Sequence, residues 1–137
     1  MIITLAGCSR PQVESPYCRA ISAGTPTRAL AVRGIYIYGT LEHGTIVISP
    51  QCLQPVFNFY SFQDSISAKE GAMSRIRKFN EAVYNSPAKA SGVFEIDGVL
   101  NVDPASRLVE LYDIADFREI DEAEGRSLIH SLRQSRK

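Results

Sequence analysis

The sequence predicts an α+β fold, mostly β: a small five-stranded barrel with one helix between strands three and four and another at the C-terminus. Three observations carry this. Short segments of alternating apolar and polar residues, bounded by Gly, Pro and Ser, recur between residues 28 and 118. Gly34 stands where the apolar parity of the first such segment switches. Two stretches, near 67–83 and 119–137, repeat their apolar residues at helical spacing instead.

Residues 9–27 are rich in Ser, Pro, Gly and Thr and read as a flexible tether. Order is expected to begin at Arg28, with RALAVRGIYIYG as the first strand. Leu30 and Val32 share one face before Gly34, and Ile35 and Ile37 take it over afterwards, as a β-bulge at the glycine requires. A long first strand bent in this way helps a small sheet close on itself.

TLEHG follows as a loop, and Thr45 to Ile48 form the second strand, ended by Ser49-Pro50. Residues 56–62, VFNFYSF, alternate well enough for a third. Ser67-Ala68-Lys69-Glu70 fits a capping box after Ile66, and the helix it opens is expected to bury Met73, Ile76, Phe79 and Val83 until Asn85-Ser86-Pro87 stops it. SGVFEIDGVLNV and RLVELYDIADF are two more strands around the turn Asp103-Pro104-Ala105-Ser106. From Glu119 to Lys137 a final helix carries Ile120, Ala123, Leu128 and Leu132 and ends in a basic tail.

This order of elements, the glycine inside the first strand and EIDGVLN in the fourth resemble the OB-fold over residues 28–118. The resemblance implies a Greek-key barrel whose loop between strands one and two borders a binding face.

Leu5-Ala6-Gly7-Cys8 resembles the lipobox of bacterial lipoproteins, in which a signal peptide is removed and the cysteine takes a lipid. The match implies that residues 1–8 are the remnant of a signal, that Cys8 is the lipidation site, and that 9–27 link it to the domain. Ser9 directly after the cysteine implies sorting to the outer membrane, facing the periplasm. Met1 to Gly7 carries no Lys or Arg, whereas a secretory signal has a basic start and an apolar core of about 7–15 residues. The lipoprotein reading therefore expects the leader to continue upstream; the alternative is a cytoplasmic protein whose first residues are apolar by chance. With Val32-Arg33-Gly34 and the Glu42-His43-Gly44 turn, the chain also resembles small periplasmic lipoproteins. If Cys8 is lipidated, Cys18 and Cys52 remain; a periplasmic setting favours a disulfide between them, and two partly buried thiols are the other reading.

Fifteen basic and fifteen acidic side chains cancel, so the chain lacks the overall field that draws proteins to nucleic acid. Two histidines and no Cys-x-x-Cys pair give no metal-site spacing, and no cofactor is expected. Phosphate loops and nucleophile elbows are missing from the sequence, which predicts a non-catalytic protein.

Two groups remain as candidate binding residues. Glu42 and His43 lie in the loop after the first strand, where a carboxylate beside an imidazole could also perform acid–base work; a plain polar turn is the simpler account. Tyr36 and Tyr38, opposite in parity to Ile35 and Ile37, are expected to be the exposed aromatic pair of the first strand, with Arg33 beside them. The function this supports is a lipid-anchored periplasmic binding module with a protein partner, of inhibitor or immunity type. A cytosolic single-strand nucleic-acid binder is the alternative, and a minor hydrolase centred on His43 and Glu42 ranks third.

Overall fold

A computed structural model describes residues 15–40, 44–61, 71–86 and 92–135. Its elements in order are α1 (Pro16–Ala23), β1 (Thr27–Thr40), β2 (Gly44–Ile48), β3 (Phe57–Tyr60), α2 (Ala72–Tyr84), β4 (Val93–Asp103), β5 (Leu108–Glu119) and α3 (Glu122–Ser135). The strands close into a barrel in the order β1-β2-β3-β5-β4. All neighbours are antiparallel except β3 and β5, which run parallel. This is the expected OB-like architecture, with α2 between β3 and β4 and α3 at the end.

β1 reaches both of its neighbours because it bends. Val32 pairs with Gly98 and Ile35 with Ile96, so Arg33 and Gly34 together oppose Asp97. Gly34 has φ +65°, the left-handed conformation glycine adopts without strain, and the bulge falls where the parity shift placed it. The inner face then takes Val32, Ile35 and Ile37, all buried.

One expectation is corrected at the N-terminus. The segment read as part of a flexible tether contains α1, whose Tyr17, Cys18 and Ala20 are buried in the core. Ser15 caps the helix by accepting the amide proton of Cys18 at 3.1 Å, Pro16 sits at its start, and Gly24 ends it with φ +75°. Ser-Pro at the front and Gly at the back are start and stop signals that loop-like composition masked. The barrel gains a closure at this end: the Tyr17 ring meets Phe57 edge-on, 6.5 Å between centroids.

α2 closes the other end. Phe79 packs edge-on against both Phe94 and Phe117, and Ala72, Ile76 and Phe79 are fully buried. Arg75 adds a fork of two hydrogen bonds to Asp113 on β5, at 2.9 and 3.0 Å. Met73, expected in the core, is 40% exposed, because it lies at the edge of the buried stripe of Ala72, Ile76 and Phe79, about a quarter-turn from its centre. The capping box at 67–70 and Pro87 lie outside the described residues.

α3 runs along the outside of β1. It starts beside β4, where the Ile120 amide donates to the Val93 carbonyl, and ends beside the segment after β2, where Gln54 donates to Ser135 at 3.0 Å. Asp121 accepts the Glu124 amide proton at 2.8 Å as an N-terminal cap. Ile120 and Leu132 are buried as expected, Leu128 is half-buried, and Ala123 faces solvent.

Candidate functional site

The sequence-derived candidates divide among separate places. Arg33 lies in a shallow groove with Asp97, Gly98, Asp113 and Ala115 on the outside of β1, β4 and β5. Tyr36 is half-buried and lies close to the Glu95 carboxylate of β4 and the Glu124 carboxylate of α3. Burial pushes the Tyr36 hydroxyl above the usual tyrosine range, and the Glu95 and Glu124 carboxylates push it further. Arg118 completes the cluster, 2.6 Å from Glu95 and 3.9 Å from Glu124. Tyr38 lines a different cleft under α3, with Ile129, His130 and Arg133. Tyr36 and Tyr38 do point outward as their parity required, but α3 covers them, so they are not the exposed pair the sequence suggested. A single-strand periodicity cannot report a helix 90 residues away in the chain. Cys8, Glu42 and His43 lie outside the described residues.

Cys18 and Cys52 are brought together. Their sulfurs are 2.07 Å apart and their Cα atoms 5.8 Å apart, which joins α1 to the segment between β2 and β3. Next to this pair the Ser49 hydroxyl lies 3.5 Å from the Cys18 sulfur, and the Ser15 amide donates to Gln51 at 2.9 Å. The N-terminal end of the described chain is thus fastened to the barrel at the C-terminal end of β2.

Sequence reasoning missed the cleft at the opposite end of β2 and β3. It measures about 330 Å³ and is lined by Ile37, Gly44, Thr45, Asn58, Phe59, Tyr60, Ser61, Phe79, Asn80 and Val83. None of these is charged, whereas four other clefts on the described surface each carry charged side chains. β3 supplies the wall by alternation: Phe57 and Phe59 point into the core, while Asn58 and the half-exposed Tyr60 point out. α2 supplies the facing side. Its Asn80 accepts the Ser61 hydroxyl proton at 2.6 Å and donates to the Ser61 carbonyl at 3.5 Å, which fixes the amide's orientation. The cleft offers hydroxyl and amide groups around an apolar floor, a binding arrangement. Ser61 is hydrogen-bonded to an amide that cannot take its proton, so the cleft's own described residues do not activate it as a nucleophile. The outward alternation of Asn58 and Tyr60 was legible; that a helix from a later segment would face them was not.

No protein-family model matches this chain, and no curated protein or solved structure shows significant similarity to it.

Proposed function

We propose that this protein is a lipid-tethered, non-catalytic binding module of the periplasm, anchored through Cys8 and presenting its uncharged cleft to a protein partner. The observation that carries the reading is the pairing of Cys18 with Cys52. Disulfides persist in oxidising compartments, and this one leaves Cys8 as the remaining cysteine of three.

The position of the pair adds to the reading. Cys8 and α1 are separated by only seven residues, 9–15, which reach at most about 25 Å. An anchor at Cys8 would hold the α1 end of the barrel close to the membrane and turn the cleft, at the other end of β2 and β3, away from it. Gly44, which follows Glu42 and His43 in the sequence, lines that cleft. A neutral cleft at the outward pole suits a protein partner better than a polyanion. For the nucleic-acid alternative, cations would be needed around Tyr60, whose register neighbour on β5 is Glu110.

Metabolic labelling with a palmitate analogue tests the anchor. Label on the wild-type protein that disappears in Cys8→Ser supports the reading, and an unlabelled wild type defeats it. A photo-crosslinking residue at Asn58 should capture a partner that the same residue at Thr25 does not; equal capture at both positions argues against the cleft.

A further inference from the structure

α3 is fastened to the barrel at its two ends. At the start the Ile120 amide donates to the Val93 carbonyl, and Arg118 stands 3.9 Å from Glu124. At the other end Leu132 is buried and Gln54 donates to Ser135. Between them Gly125 is the other buried residue of the helix. Glycine is a poor helix former, and here it brings no side chain to fill the space beside β1. A groove of about 490 Å³ remains there, with Tyr38 as one wall and Gly125 and Ile129 on the other.

The polar groups of this groove divide into a matched pair and an unmatched set. Arg126 and Glu122 neutralise each other along the helix. His130 and Arg133 line the same groove and are both exposed. Arg126, His130 and Arg133 stand at i, i+4 and i+7, so one flank of α3 carries all three. Among the described residues, the side chains of Tyr38, His130 and Arg133 have no hydrogen-bond or ion-pair partner. Three other charged clefts lack this excess of cation. Carboxylates outnumber the cation beside Arg28 and beside Arg33, and the cleft with Lys78 sets Asp116 against it while Arg75 is forked to Asp113.

We infer that this groove binds a phosphomonoester, its anionic head held by Arg133, His130 and the Tyr38 hydroxyl and its organic body lying on Ile129 and the Tyr38 ring. Three donors reaching in from two elements suit an anion with three terminal oxygens. A planar carboxylate is served by the Arg133 fork alone and leaves the other two donors unused. The excess of cation selects an anion, and the apolar wall selects an ester over the free ion. Arg133 in the last turn of α3 also opposes the helix dipole, a role that asks nothing of Tyr38 or His130. The groove is separate from the neutral cleft between β2, β3 and α2, and its ligand does not depend on the tethered reading.

The test titrates phenyl phosphate into the isotope-labelled full chain at neutral pH and constant ionic strength, following the backbone amide resonances. Saturable shifts at Tyr38 and along residues 125–133 are expected, with benzoate and inorganic phosphate each binding about tenfold more weakly. Arg133→Gln should weaken phenyl phosphate binding about tenfold, and Tyr38→Phe, which keeps the ring, about fivefold, the worth of one hydrogen bond. Arg19→Gln removes the same charge from α1 and should leave binding unchanged. An unaltered urea midpoint in each variant shows that the fold is kept. Absence of saturable shifts, benzoate or inorganic phosphate binding as tightly as phenyl phosphate, or equal loss with Arg19→Gln overturns the proposal.

Discussion

Asp97 accepts the amide proton of Gly34 at 2.9 Å, a side chain of β4 reaching across to the bulge in β1. Four residues further along β4 the same device recurs. Arg28 and Ala29 together oppose Asn101, and Asn101 accepts the Ala29 amide proton at 2.9 Å. Both bulges place a residue in left-handed backbone, Gly34 at φ +65° and Ala29 at φ +54°. β1 is bent twice, and each bend is held by a polar β4 side chain satisfying an amide that the ladder leaves over.

The two bulges should answer to substitution with opposite signs. Gly34→Ala introduces a left-handed non-glycine residue and should cost about 1 kcal/mol in urea unfolding. The reverse change, Ala29→Gly, relieves that strain against a smaller entropic loss and should be neutral or stabilising by up to about 1 kcal/mol. A loss of stability with Ala29→Gly would count against this account of the bend.

The Cys18–Cys52 bond closes a loop of sequence separation 34, for which chain entropy gives roughly 4 kcal/mol. Cys18→Ala with Cys52→Ala should therefore lower the urea midpoint markedly, and a reductant should lower that of the wild type. Insensitivity of the wild type to reductant would mean that the two thiols are not joined.

Alkaline stability should report Tyr17. Burial raises its hydroxyl well above the usual tyrosine range, so the folded protein keeps a proton that the unfolded chain releases near pH 10. Stability from this group is complete below about pH 10 and falls above it by about 1.4 kcal/mol per pH unit. Tyr17→Phe should flatten that fall, measured by urea unfolding across the alkaline range; an unchanged slope would exclude Tyr17 as its source.

Two glycines separate steric need from backbone need. A Cβ on Gly98 would stand 2.5 Å from the Asp113 carbonyl oxygen, so Gly98→Ala must part β4 from β5 and should cost about 3 kcal/mol. Gly24 has nothing within 4 Å, and Gly24→Ala should cost only the left-handed penalty of about 1 kcal/mol. Thermal unfolding of the two variants gives the order.

Much of this barrel was legible from residue pattern alone. Alternation marked the five strands, the parity switch at Gly34 located the bulge, and the spacing of Ile76 and Phe79 marked α2, because each signal is local and repeats with the period of its element. α1 was the exception: its Ser15, Pro16 and Gly24 signals were present, but its buried side depends on Phe57 and Cys52, which local pattern does not reach. Tyr36 and Tyr38 show the same boundary. Sequence by itself determined that they point outward from β1; only the packing of α3 across them decided that they are covered. In the same way the alternation of β3 turned Asn58 and Tyr60 outward, but the neutral cleft exists because Asn80 and Val83 of α2 face them. Periodicity records which face of its own element a residue occupies, and a site is made where faces from distant elements meet.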